Sequence, residues 1–146
     1  MKVESVTAPV RVLVVKLSSL GDVVHTLPAA MDIQSYFPNA QIDWVVEPSF
    51  APIVKACSAV HRVIACDLRH WRKNMWSQDT RLAWSAFLAE LYQERYDAII
   101  DLQGLTKSAL VSWLARTSNK GKRYAMANAT DGSAYERPTR WVANMA

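Results

Sequence analysis

The chain lacks most of the features that would assign it to a specialised class. Its 146 residues include two cysteines, Cys57 and Cys66, and four glycines. Two cysteines in no ligand pattern build neither a disulfide framework nor a zinc site, so both read as small core residues under cytoplasmic redox conditions. No apolar run approaches the ~20 residues of a membrane span and no signal-peptide pattern opens the chain, so a soluble, intracellular protein is expected. The turn at Ser18–Gly21 matches neither G-x-G-x-x-G nor the Walker A pattern, which excludes the usual dinucleotide and Mg-nucleotide loops there. His25, His61 and His70 lack ligand spacing and the acidic residues are scattered, so no metal site and no cofactor are expected. Charge of neither sign dominates: 17 Lys and Arg against 13 Asp and Glu leave a net +4. Two basic clusters stand out, Arg69-His70 with Arg72-Lys73, and Lys120 with Lys122-Arg123. Each suits an anionic partner or is simply a solvated loop. Aromatics clustered on a strand platform are missing, which argues against RNA binding.

What is present is ordinary globular material, 51% apolar and 21% charged, in a length that suits one domain. Arg11 to Lys16 is a short run rich in β-branched residues, the pattern of a buried strand. Ser18, Ser19 and Gly21 then form a small-residue turn, and apolar spacing suited to a helix resumes at Val23. A strand, a turn and a helix start bring backbone N–H groups and a positive helix end to one point. In an open parallel sheet that point lies at the carboxyl ends of the strands, where ligands bind. The turn carries one carboxylate, Asp22, which serves either as a helix N-cap or as a group presented to a ligand.

Residues 1–10 read as a flexible tail and 11–146 as one folded unit. Pro28 falls inside the first helix and is expected to kink or split it. Further strands are expected at Ile42–Glu47, Val60–Asp67, Asp97–Leu102 and Arg123–Met126. A short helix is expected over Phe50–Cys57 after Pro48, and a longer one whose apolar face holds Trp84, Phe87, Leu88 and Leu91, capped by Asp79 or Thr80. Leu68–Gln78 has no clean period and reads as a loop with Trp71 and Trp76 partly exposed. A helix carries Leu105 to Leu114, Asn128–Ser133 is turn-rich, and Thr139–Met145 looks like another helix beginning. Strands alternating with helices imply an α/β fold with a doubly wound, Rossmann-like parallel sheet.

Lys16-Leu-Ser-Ser-Leu-Gly-Asp22-Val-Val-His-Thr-Leu-Pro28 resembles the opening signature of the bacterial ADP-heptose:lipopolysaccharide heptosyltransferases, above all their type I branch. Asp43-Trp44-Val45-Val46-Glu47, Arg69-His70-Trp71-Arg72-Lys73 and Tyr96 through Leu105 are similar to that family in order and spacing. Pro138-Thr139-Arg140-Trp141 is a less distinctive fit. The resemblance implies the amino-terminal domain of a GT-B glycosyltransferase, with the carboxy-terminal nucleotide-sugar domain absent and the isolated chain inactive. It implies inverting transfer of L-glycero-D-manno-heptose from ADP-heptose to a Kdo hydroxyl of Kdo2-lipid A, at the cytoplasmic face of the inner membrane.

In that family's terms Asp22 stands at the position of the catalytic base. Ser18, Ser19 and Gly21 would orient the acceptor or Asp22 itself. Arg69, Arg72 and Lys73 suit the carboxylates of Kdo and the phosphates of lipid A, because such cations pair with those anions. His70 departs from the pattern, since relatives often carry Arg there. Lys107, after the Gln103-Gly104 turn, is expected to face the cleft, Lys16 to support the strand end, and Arg140 to reach the acceptor from the carboxyl side. A stand-alone flavodoxin-like binding or receiver module is the competing reading, with Asp22 and Asp101 as an acidic pocket. It lacks the adjacent acidic pair expected after the first strand.

Overall fold

The structure is a computed structural model that describes residues 8–126 and 137–144. Apolar residues on both faces of the central strands dictate a sheet covered on both sides. β1 (Arg11–Val15), β2 (Gln41–Val46), β3 (Arg62–Ala65), β4 (Tyr96–Asp101) and β5 (Thr117–Ala125) form one sheet in the order β3-β2-β1-β4-β5. Every pairing is parallel. Leu13 and Val15 point into one core with Val45, Ile64, Phe87, Leu91 and Val111. Val12 and Val14 point into the other with Val23, Ala30, Ile42 and Trp44. That alternation explains why β1 reads as an unbroken apolar run, as strands of parallel sheets buried on both faces do.

The helices are α1 (Leu20–Tyr36), α2 (Ala51–Lys55), α3 (Leu68–Lys73), α4 (Gln78–Leu91), α5 (Thr106–Leu114) and α6 (Arg137–Asn144), with a 3-10 turn at Pro48–Phe50. Several expectations need correction. Pro28 neither splits nor ends α1, which runs unbroken for 17 residues. Buried Val23 and Ala30 anchor the helix on either side of the missing N–H, so packing outweighs one lost hydrogen bond. Asp22 is not the N-cap. Ser19 holds that position, and the Ser19 N–H and hydroxyl donate to Asp22 Oδ2 at 3.1 and 2.9 Å. The cap of α4 is Ser77, whose Oγ accepts from the Thr80 N–H, rather than Asp79 or Thr80.

Leu68–Gln78 is not all loop. Asp67 caps α3 by accepting from the His70 N–H, and Trp71 anchors the helix edge-on to Trp84, with ring centroids 5.6 Å apart. Phe87 completes the trio. Each such aromatic pair contributes about 0.5–1.5 kcal/mol beyond its burial, enough to hold six residues whose own period is too short to read. Trp76 stands 90% exposed.

β5 begins six residues earlier than its expected start at Arg123 because its first half is polar and irregular. Tyr96 pairs with Thr117 but Ala98 pairs with Lys122, so the extra residues bulge at Gly121. A Cβ there would sit 2.3 Å from the Tyr96 carbonyl oxygen, which reserves the position for glycine. The expected turn at Asn128–Ser133 lies outside the described residues.

Candidate functional site

The chain reverses direction across the sheet after β3, since β2 and β4 flank β1 on opposite sides. The turns leaving β1 and β4 therefore stand side by side at the carboxyl edge, the switch point where open α/β sheets bind ligands. The Leu102 N–H donates to the Val15 carbonyl at 3.0 Å. Gln103 Oε1 accepts from the Leu17 and Ser18 N–H groups at 3.1 and 3.2 Å, and Lys16 Nζ donates to the Leu102 carbonyl at 3.1 Å. Lys16 is thus a strut between the two turns, the supporting place expected of it. Gly104 closes the β4 turn with φ of 72°, a conformation glycine adopts without strain.

Ser18 is buried and Ser19 exposed in the β1 turn, joined by a cis peptide bond, with Gly21 and Asp22 exposed at the helix entrance. Nothing lies within 4 Å of where a Gly21 Cβ would project, so this face is open. The Ser19 backbone N–H, followed by its hydroxyl, holds the Asp22 carboxyl below the usual Asp value. Asp22 is therefore an ionised, solvent-facing carboxylate at neutral pH.

A second cluster adjoins it. Lys107, in the first turn of α5, donates from Nζ to Ser18 Oγ at 3.1 Å and to Glu47 Oε1 at 3.2 Å. Arg69 on α3 reaches the same Glu47 oxygen at 3.7 Å. Ser18, Lys107, Glu47 and Arg69 thus link the turns after β1, β2, β3 and β4. Arg72 and Lys73 lie on α3 with exposed side chains and no ion-pair partner among the described residues. Arg140 lies in α6, but its side chain falls outside the described part. Asp22, Ser18, Ser19, Gly21, Lys107 and Arg69 therefore belong to one edge of the sheet.

Two contributors were passed over in the sequence, Glu47 and Gln103. Glu47 follows β2 directly and Gln103 lies two residues past β4, both inside the family-like stretches, so their places at strand ends were the signal that could have found them. Asp101, half of the acidic pocket in the receiver reading, is 2% exposed. It accepts from the Gln103 and Gly104 N–H groups and the Ser108 hydroxyl at 2.9, 3.1 and 2.9 Å. Burial nonetheless pushes its carboxyl up. A sealed, fully bonded side chain is a turn-former rather than a phosphoryl acceptor, and the receiver reading loses its central residue. Cys66 is likewise inert, its thiol pushed up to about 12 by burial; Cys57 is only half-buried.

The family model for glycosyltransferase family 9 (heptosyltransferase) matches residues 84–141. Lipopolysaccharide heptosyltransferase 1 of Pseudomonas aeruginosa is 50% identical over 110 residues, covering 75% of this chain and 30% of the relative. The protein of the same name from Escherichia coli K12 is 50% identical over 112 residues, covering 76% of this chain and 35% of the relative. The solved structure of E. coli heptosyltransferase WaaC with ADP superposes with a TM-score of 0.80 at 41% identity, covering 92% of this chain and 40% of that one. WaaC with ADP-2-deoxy-2-fluoro heptose gives 0.74 at 37% identity, over 92% of this chain and 46% of that one. The chain spans about a third of the length of these curated relatives. Its fold is that of a GT-B glycosyltransferase domain, and the resemblance to heptosyltransferase I holds over most of its residues.

Proposed function

We propose that this chain, a homologue of the heptosyltransferases of glycosyltransferase family 9, is the acceptor-side domain of an inverting heptosyltransferase. In this reading the full enzyme transfers L-glycero-D-manno-heptose from ADP-heptose to a Kdo hydroxyl of Kdo2-lipid A. The observation that carries it is the 50% identity to heptosyltransferase 1 proteins over three quarters of the chain. It is supported by an open carboxylate, Asp22, at the switch point. ADP-heptose would be held mainly by a nucleotide-sugar domain beyond these 146 residues.

The residues suit the step. Asp22 takes the proton of the acceptor hydroxyl as the new bond forms at the anomeric carbon, while the bond from that carbon to the diphosphate breaks and ADP leaves on the opposite side. General-base help of this kind contributes about 10²–10⁴ in rate. The Ser19 hydrogen bonds that keep Asp22 ionised also weaken it as a base in the ground state. It acts most strongly as charge builds on the hydroxyl in the transition state.

Ser18, Ser19 and the Gly21 amide orient the acceptor. Arg69, Arg72, Lys73 and Lys107 meet its carboxylate and phosphate groups, and Arg140 approaches from the carboxyl side. The same cations attract the chain to the anionic cytoplasmic face of the inner membrane, where it is peripheral. No helix among the described residues is long and apolar enough to cross a membrane.

The test joins residues 1–146 to the remaining part of the E. coli relative and supplies ADP-heptose with Kdo2-lipid A. Heptosyl transfer by the hybrid, with none by the isolated chain, is the expected result. A well-folded hybrid without transfer would refute the assignment.

A further inference from the structure

Gln103 holds the β1 turn with one atom of its amide and leaves the other unused. Its Oε1 accepts from two successive backbone groups, the Leu17 and Ser18 N–H, at 3.1 and 3.2 Å. Only the oxygen of a carboxamide accepts, so two donors at one terminus decide which atom stands there. Nε2 is therefore turned away from the β1 backbone. A flipped amide would set its nitrogen against the N–H groups of two buried residues, Leu17 and Ser18, and leave both without an acceptor. The stem is anchored as well, because the Gln103 N–H donates to Asp101 Oδ1 at 2.9 Å.

The amide nitrogen has no partner among the described residues. It is not sealed off either. Gln103 is half-buried, and among the described residues the buried side-chain polar atom without a hydrogen bond is Ser112 Oγ. Two N–H donors are thus held in a fixed direction and left to solvent, at the same edge of the sheet as Ser19, Gly21 and Asp22. Donors aimed in advance cost a ligand little ordering, and a few such groups fix its orientation. The neighbouring cations are engaged: Lys16 with the Leu102 carbonyl, and Lys107 with Ser18 and Glu47. A neutral amide suits a neutral oxygen, since a hydroxyl exchanges water for it without desolvating a charge.

We infer that Gln103 is a specificity-determining residue whose Nε2 donates to a hydroxyl oxygen of the acceptor sugar other than the one Asp22 deprotonates. This rests on the acceptor-side reading above and adds to it a contact that discriminates among acceptor sugars.

Gln103→Glu separates the two roles. A carboxylate oxygen still accepts from the Leu17 and Ser18 N–H groups, so the melting temperature should hold, but the donor is gone. Binding of deacylated Kdo2-lipid A to the 146-residue chain, followed by calorimetry, should weaken roughly three- to tenfold. The loss should persist in high salt, where repulsion between the added charge and an anionic acceptor is screened. In the nitrogen-15-labelled wild-type chain, the side-chain amide signal that Gln103→Glu removes should shift when the same acceptor is added. Binding that moves the Asp22 carboxyl resonance but not that signal, with affinity in high salt indifferent to Gln103→Glu, would leave Gln103 a brace for the turn and overturn the inference. An acceptor that does not bind the chain at all would overturn it together with the acceptor-side reading.

Discussion

Two carboxylates stand at the carboxyl edge of the same sheet and meet opposite fates. Asp22, in the first turn of α1, is solvent-facing and accepts two hydrogen bonds from Ser19. Asp101, the last residue of β4, is 2% exposed and accepts from two backbone N–H groups and a hydroxyl. If hydrogen bonds alone decided acidity, Asp101 would be the stronger acid. It is the weaker: burial raises its carboxyl despite three donors, whereas Ser19 lowers that of Asp22. At Asp101 desolvation outweighs hydrogen bonding. The lesson is one of location. A carboxylate sealed beneath the turn shapes it, and one left on the rim is free to meet a ligand.

The comparison breaks most visibly in activity. In the hybrid enzyme, Asp22→Asn should lower kcat by about 10²–10⁴ while leaving the melting temperature nearly unchanged, because Asn still accepts from the Ser19 N–H. Asp101→Ala should show the reverse. It leaves the Gln103 and Gly104 N–H groups without their acceptor at a buried turn, although the Ser108 hydroxyl keeps the Leu105 carbonyl, and should cost about 2–3 kcal/mol in denaturant unfolding.

A smaller effect is expected at Glu47, which holds Lys107 and Arg69. Glu47→Gln should raise the acceptor KM several-fold with kcat little changed. An unaltered KM would remove Glu47 from the acceptor site.

The smallest effect is in the pH dependence of stability, where the two carboxylates carry opposite signs. Asp22, lowered on folding, adds stability above its ordinary value that is lost as pH falls through the lowered one. Asp101, raised on folding, favours the fold at low pH and loses that contribution as pH rises through its raised value. Urea midpoints across the acidic range should therefore flatten on opposite sides in Asp22→Asn and Asp101→Asn.

How much of this was legible in the chain follows from the same physics. β1, β2 and β4 announced themselves through apolar stretches, Val12 to Val15, Trp44 to Val46 and Ala98 to Ile100, that pack against the two cores, and the doubly wound order followed from their alternation with helices. α3 was hidden because six residues hold no full period; it exists through the packing of Trp71 on Trp84 and Phe87. The first half of β5 was hidden by its polar surface and the bulge at Gly121. The position of Asp22 was legible, and so was Ser19 as one of the groups that could orient it; the capping arrangement was not. That Ser19 would cap α1 and bind Asp22 depends on backbone angles at a single residue. Glu47 and Gln103 sat inside the family-like stretches, but only the adjacency of four strand ends shows what their side chains hold.

The most direct test of the open carboxylate is a carbon-13 NMR titration of the aspartate carboxyls, with and without a deacylated Kdo2-lipid A acceptor. Asp22 should titrate below the ordinary Asp value and its resonance should move when the acceptor is added, while that of Asp101 titrates high and stays still. An acceptor that shifts Asp101, or leaves Asp22 unmoved at saturation, would contradict the role assigned to the β1 turn.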